Sequence, residues 1–297
     1  MRFLRPRTIS KIALTPPAPA RGRHGLAIVL IVRNEARHIA EWAEFHRAAG
    51  VRHVYLYDNG CTDGTPDRAR DVLGDALTVM PWDQKLHDGR GGAEIHNQVL
   101  AYAHAVRNFG AGYRWLAFID VDEFLVPVDA RSLPEALSGL EGEAQVSLPW
   151  HMFGRNGHDA PPEGGVLRNY LRRADPRRAD RALNWKVLVD PARVTAVRVH
   201  GFDVDGQGVS VNDAGLSADH DARQQRGFYS RARVQLNHYY SRSDSELRAK
   251  LARGSNKTVE AATHERRVMR LVEEIERDTV EDRTALDFLA RIGRDPA

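Results

Sequence analysis

The chain has 297 residues, 42% of them hydrophobic, enough for one large or two small domains around a real core. Lys and Arg number 43 against 40 Asp and Glu, and the resulting net charge of +3 excludes the polybasic surface of a nucleic-acid coat, so nucleic acid is not an expected partner. The single Cys61 excludes an intramolecular disulfide and a Cys-rich zinc centre and fits a reducing compartment, so the expected location is the cytoplasm.

Residues 1–25 are basic and end in Pro, Ala, Gly and Arg; their short apolar stretch is broken by Lys11 and Pro16, which makes a poor signal peptide and predicts a flexible arm. No run of about eighteen apolar residues occurs, so no bilayer-spanning helix is expected, although contact at a membrane surface is compatible with the sequence. Leu26–Val32, LAIVLIV, is the continuous aliphatic run of a strand covered on both faces. A helix is predicted over Ala36–Ala49, where Ile39, Trp42, Ala43, Phe45 and Ala49 recur at helical spacing before Gly50. Val51–Tyr57 is the second strand, followed by the turn Asp58–Gly64, a short helix over Pro66–Leu73 and a third strand, Leu77–Met80. A longer helix, Ala93–Phe109, and a fourth strand, Trp115–Ile119, complete a nucleotide-binding half over 26–130. This alternation predicts an α/β fold with a mostly parallel sheet between helices and a ligand site beyond the carboxyl ends of its strands.

Beyond residue 130 the pattern changes to short strands among Gly- and Pro-rich loops. They are predicted at Ala144–Leu148, Val166–Leu171, Lys186–Val189, Val194–Val199 and Val234–Leu236, an acceptor-side half of the same domain over 131–243. Residues 244–297 are charged and helical, with Leu247, Leu251, Val268, Leu271, Ile275, Ala285, Phe288 and Leu289 as a packing stripe.

Two strands run straight into carboxylates. WLAFIDVDEFLVP sets Asp120 and Asp122 between apolar runs, and in extended chain residues i and i+2 share a face. Two carboxylates anchored beside a core need solvent, hydrogen bonds or a cation, and Mg²⁺ or Mn²⁺ commonly takes one or two carboxylates and leaves the rest of its sphere to water and phosphates. In YDNGCTDGT the pairs Asn59-Gly60 and Asp63-Gly64 make the bend, while Asp58 stands at the strand end, where a carboxylate can accept from a nucleobase N–H or a ribose hydroxyl.

The segments EARHIAEWAEFHRAAGVRHVYLYDNGCTDGT, FIDVDEF, WHMFGRNGH and QLNHYYSRS, in this order over residues 26–253, resemble glycosyltransferase family 92 and the related family 2-type enzymes of the GT-A fold. The resemblance implies a metal-dependent, inverting transfer from a nucleotide-sugar, usually a UDP-sugar, to a glycan or lipid-linked acceptor. It places Asn34 and Glu35 at the nucleotide pocket, Asp58 near the uracil, Asn97 facing the donor, Asp120 and Asp122 on the Mn²⁺ or Mg²⁺, and His238 as a further metal or diphosphate contact, with His200 and His158 as competitors. Lys186, in NWKVLV, is a candidate to neutralise donor phosphate.

An inverting transfer also needs a base for the acceptor hydroxyl. The candidates are Asp159 and Glu163 in GHDAPPEGG and Asp203 and Asp205 in GFDVDG; Asp159 is preferred because it follows WHMFGRNGH. Arg168, Arg172, Arg173, Arg177, Arg178 and Arg181 form a basic run that could attract an anionic membrane or a phosphorylated, lipid-linked acceptor. Two other readings fit carboxylates and a crevice: a nucleotidyltransferase-type phosphosugar enzyme, and a binding module for nucleotide or carbohydrate without turnover.

Overall fold

The computed structural model describes residues 8–175, 184–199, 201–252 and 261–296. Strand β1 (Lys11–Ala13) precedes β2 (Leu26–Val32), helix α1 (Ile39–Ala48), β3 (His53–Asp58), α2 (Thr65–Leu73) and β4 (Leu77–Pro81). In β2, Leu26, Ile28, Leu30 and Val32 enter one apolar core with Trp42, Ala43 and Phe45 of α1, while Ala27 and Val29 enter a second core. That second core holds Val99, Tyr102 and Val106 of α3 (Asn97–Phe109), which follows the small hairpin β5 (Leu86–His87) and β6 (Glu94–Ile95). The unbroken aliphatic run of β2 thus reflects helices on both faces of the sheet.

Next come β7 (Trp115–Phe118), β8 (Glu123–Pro127), the turn of helix α4 (Leu133–Ala136) and the long strand β9 (Gln145–Met152). A second helical turn, α5 (Val166–Asn169), leads to β10 (Arg172–Ala174), β11 (Trp185–Val189), β12 (Val194–Arg198), β13 (Gly201–Val204), β14 (Ser210–Val211), β15 (Ser217–Ala218) and β16 (Val234–His238). Helices α6 (Asp244–Ala252) and α7 (Ala261–Arg277), strand β17 (Thr279–Glu281) and helix α8 (Thr284–Arg291) complete the described chain.

The central sheet runs β15-β14-β9-β11-β7-β2-β3-β4. Its β7-β2-β3-β4 portion is parallel, and the antiparallel strand β11 joins β7 to β9, so one mixed α/β sheet spans both predicted halves. A branch leaves it where β16 pairs parallel with β9 and antiparallel with β8.

Three expectations are corrected. Val166–Leu171 contains a helical turn instead of a strand, because the Glu41 carboxylate of α1 accepts from the Val166 and Leu167 N–H groups at 2.6 and 2.9 Å and closes that turn. Residues 8–25, expected as a loose arm, include β1, which pairs antiparallel with β12. The tail holds a strand among its helices, β17, paired with β10. Of its expected stripe, Leu247, Val268, Ile275, Ala285, Phe288 and Leu289 are buried and Leu251 and Leu271 half-buried; Val272 of α7, outside the stripe, is buried as well. Among the described residues no helix is long and apolar enough to cross a membrane.

Candidate active site

The site begins where β7 stops. Buried Trp115–Ile119 carries the chain out of the sheet, and Asp120–Asp122 is a tight turn rather than extended chain. The Glu123 N–H donates to the Asp120 carbonyl at 3.0 Å, and the Asp120 N–H donates to Glu123 Oε2 at 2.9 Å. The two aspartates therefore reach the same cleft through turn geometry and not through strand alternation.

That cleft, of about 500 Å³, lies at the carboxyl ends of β2 and β7. Its wall brings together Asn34, Glu35, Asp120, Asp122, Arg242 and Lys250, the last from α6. Asn34 holds a left-handed backbone (φ 56°), and its Oδ1 accepts from the Thr62 N–H at 2.8 Å, so the loop after β2 is fastened to the loop after β3. Asp63 strengthens the same junction by accepting from the Ala36 and Thr65 N–H groups.

Strand pairing fixes the far side. Antiparallel register sets His238 of β16 opposite Glu123 of β8, and the Tyr239 N–H donates to the Asp122 carbonyl at 2.8 Å. His238 Nε2 consequently lies 3.6 Å from Asp122 Oδ2, with the ring against Trp150. Lys250 Nζ is 2.9 Å from the same Asp122 oxygen and donates to the Tyr240 carbonyl. Burial alone would raise the Asp122 carboxyl, but the Lys250 ammonium and the His238 imidazole outweigh it and hold the group well below the usual carboxylate range.

Lys186 departs from expectation. Its buried ammonium is 2.7 Å from Asp120 Oδ2 and 3.0 Å from Glu123 Oε2, so it is engaged in an internal ion triad rather than presented to a donor phosphate. Burial opposes its charge, yet the two carboxylates raise its pKa well above the ordinary value. Burial pushes Glu123 the other way, raising its carboxyl despite Lys186.

The remaining candidates are more dispersed. Asp58 accepts from the Cys61 N–H at 2.7 Å, closing its own turn, and is not among the residues that line the cleft. Asn97 bridges Asn59 Oδ1 and the Trp82 carbonyl. Asp159 is exposed outside the cleft, and its carbonyl accepts from the Ser245 N–H. Glu163 is exposed, Asp203 pairs with Lys11 and Arg198, and Asp205 pairs with Arg193. His158 contacts the Asn169 carbonyl, whereas His200 lies outside the described residues. The arginine run does not form one patch among the described residues: Arg168 donates to the Pro296 carbonyl, Arg172 to Thr279, and buried Arg173 to Asp282. Arg177, Arg178 and Arg181 lie outside the described residues.

Sequence reasoning missed Arg242 and Lys250. Arg242, at φ 51°, places Nη1 2.8 Å from Glu35 Oε2; burial opposes its charge, but Glu35 and Asp122 raise its pKa. The signal was present in the QLNHYYSRS segment, whose arginine follows the His238 strand by four residues.

Two carboxylates and an imidazole supply the oxygen and nitrogen donors that Mn²⁺ accepts. Buried Nδ1 of His238 and Oε1 of Glu123 have no hydrogen-bond partner. Among the described residues no three His, Cys, Asp or Glu side chains form a ready-made cation site, and Asp120 and Asp122 each give an oxygen to an ammonium, of Lys186 and of Lys250; a cation held here would draw the rest of its sphere from water or bound phosphates.

A mixed α/β sheet with a polar cleft beyond its parallel strand ends has the crevice in which open α/β sheets bind their ligands. The model of glycosyltransferase family 92 matches residues 28–267, and the chain belongs to that family. A family 92 protein of Oryza sativa subsp. japonica is 26% identical over 185 residues, 58% of this chain and 30% of its own. One from Ricinus communis is 29% identical over 172 residues (54% and 29%), and one from Arabidopsis thaliana 26% over 201 residues (61% and 32%). The chain thus spans about a third of the length of these curated relatives. A crystal structure of a mycobacterial protein aligns over 76% of this chain and 70% of that one, with a TM-score of 0.38 and 17% identity.

Proposed function

We propose that this chain is a metal-dependent, inverting glycosyltransferase of the GT-A type, moving a sugar from a UDP-sugar to a glycan or lipid-linked acceptor. The observation that carries the reading is the single cleft in which Asp120, Asp122, Arg242 and Lys250 meet at the ends of β2 and β7 in a family 92 chain. Asp120 and Asp122, with His238 beside them, would hold Mn²⁺ or Mg²⁺, and the bound cation would supply charge neutralisation for the departing diphosphate. Arg242 and Lys250 add fixed positive charge at the same wall, suited to a diphosphate. Asn34 and Glu35 order the loop beside the nucleoside, with Asp58 and Asn97 behind it. A soluble or membrane-peripheral cytoplasmic setting accords with a nucleotide-sugar donor.

The test is release of UDP from UDP-glucose, UDP-galactose and UDP-N-acetylglucosamine with Mn²⁺, with Mg²⁺ and after EDTA, because donor hydrolysis needs no known acceptor. Metal-dependent release that is abolished in Asp120→Asn and Asp122→Asn, both folded by circular dichroism, is the expected result, since an amide keeps the shape and loses the charge that holds a hard cation. Pyrophosphate release from a nucleoside triphosphate would instead identify the nucleotidyltransferase, and UDP binding without any turnover the binding module.

A further inference from the structure

A second cleft, of about 370 Å³, adjoins the first and shares Arg37, His38 and Glu246 with it. Its other wall is built from Glu41, Pro162, Gly165 and Tyr170, none of which lines the first cleft. The shared edge carries a histidine held in one orientation. His38 Nε2 is 2.6 Å from Glu246 Oε1, although the two residues are 208 positions apart in sequence.

Glu246 is itself held. Its other oxygen, Oε2, accepts from the Ser243 N–H at 3.0 Å and from the Ser243 hydroxyl at 2.5 Å, while the Glu246 N–H approaches Ser243 Oγ at 3.4 Å. This is a capping box at the start of α6. One oxygen caps the helix and the other is turned to His38. An ionised carboxylate on Nε2 selects the tautomer with the proton on that nitrogen and leaves the Nδ1 lone pair as the proton acceptor.

We propose that His38 is the general base of the transfer and that the second cleft receives the hydroxyl-bearing acceptor, with Glu246 as the residue that positions the imidazole. The proposal rests on the glycosyl-transfer reading. As the acceptor oxygen forms its bond to the anomeric carbon, the hydroxyl proton passes to His38 Nδ1. The bond from the anomeric carbon to the donor phosphate oxygen breaks with its electron pair on that oxygen, and the nucleoside diphosphate leaves. The imidazolium so formed faces the Glu246 carboxylate, as in other histidine bases oriented by an acid.

The electrostatic surroundings agree with this role. Burial lowers the His38 pKa, Glu246 opposes that shift, Arg242 adds to it and Glu35 opposes it. Arg37 and Glu41 are the other charged groups of α1 and its leading loop at the same edge. Burial works against the charge on Glu246, but His38 and Ser243 outweigh it and bring the carboxyl down to about 2, so it stays ionised while His38 is neutral. Asp159, the carboxylate favoured from sequence, lines neither cleft.

The test uses the full chain, UDP-sugar hydrolysis with water as acceptor, and calorimetric binding of UDP with Mn²⁺. His38→Gln should keep the wild-type UDP affinity and melting temperature while kcat falls by about 10²–10⁴-fold. Wild-type kcat should fall below an apparent pKa under about 6.5, and that acid limb should vanish in His38→Gln. Glu246→Gln should lower kcat and move the limb to lower pH, because it removes a carboxylate that favours the imidazolium; a merely structural contact would leave the limb in place. Asp159→Asn should retain the wild-type rate and profile. A wild-type rate and intact limb in His38→Gln, or loss of activity in Asp159→Asn with His38→Gln unaffected, would overturn the assignment alone. Absence of both UDP binding and UDP-sugar turnover in the wild-type chain would overturn the glycosyl-transfer reading and this assignment with it.

Discussion

His46 on α1 illustrates how a single side chain constrains the site from behind. Its Nδ1 lies 2.8 Å from the Trp42 carbonyl and its Nε2 accepts from the Leu125 N–H at 3.2 Å, so one neutral tautomer satisfies both contacts and ties α1 to the strand that follows the aspartate turn. Protonation would set a donor against a donor in a fully buried place, and burial brings the pKa down to about 3. Because the folded pKa lies below the unfolded value of about 6.5, the unfolded chain binds the proton first. Stability is therefore fully present above about pH 6.5 and falls as the pH drops toward 3, by up to about 1.4 kcal/mol per pH unit for this one group. Urea unfolding at about pH 7.5 and about pH 5 should show a smaller pH-dependent loss in His46→Gln than in the wild type. Equal losses would mean that His46 does not titrate with unfolding. The sequence offered no cue to this residue or to His38, because the partners that define them are distant: Leu125 lies 79 positions from His46, and Glu246 lies 208 from His38. Asp120 and Asp122 were legible because their apolar flanks are local, although the turn that aims them was not.

At the scale of elements, the βαβ opening was readable from LAIVLIV and the helical spacing after it, since burial on both faces leaves an unbroken aliphatic run. The Val166–Leu171 segment was not, because a two-residue apolar run carries no period that separates strand from helix. What decides it is Glu41, whose carboxylate caps the turn from another element. Gly165 leaves room for that carboxylate: a Cβ there would stand 2.1 Å from Glu41 Oε1 and 2.4 Å from Cδ. Its φ of −83° suits any residue, so the objection to a side chain is steric and not one of backbone strain. Gly165→Ala should displace Glu41, loosen the wall of the second cleft and cost about 1–3 kcal/mol, as overpacking commonly does. Thermal unfolding checks this, and an unchanged melting temperature would show that Glu41 can move aside freely. The β8/β16 pairing could not be anticipated either, since each strand is short and their partnership joins residues more than a hundred positions apart; yet its register is what sets His238 beside Asp122.

For the molecule as a whole, the chain after α6 is joined to the rest rather than appended. Arg155 links Asp244 of α6 to Glu276 of α7, and β17 completes a ladder with β10. The tightest tie is Asp282. Its Oδ2 accepts from buried Arg173 Nε at 2.5 Å and from Gln235 Nε2 at 3.1 Å, and Gln235 lies on β16, the strand that ends at His238. Burial would raise the Asp282 carboxyl, but Arg173 and Thr284 prevail and bring it down to about 2. Removing this carboxylate leaves a buried guanidinium without its counter-charge, a change that costs about 3–5 kcal/mol in comparable buried pairs. Asp282→Ala should therefore lower the urea midpoint of the entire protein in one cooperative transition, and tryptophan fluorescence, to which Trp42 and Trp115 contribute from the core they share with Val234 and Leu236 of β16, should report it together with circular dichroism. An early transition confined to helical signal, with the tryptophan transition left at its wild-type midpoint, would show instead that residues 261–296 unfold as a separate unit and that the Asp282 contact does not couple them to the strand bearing His238.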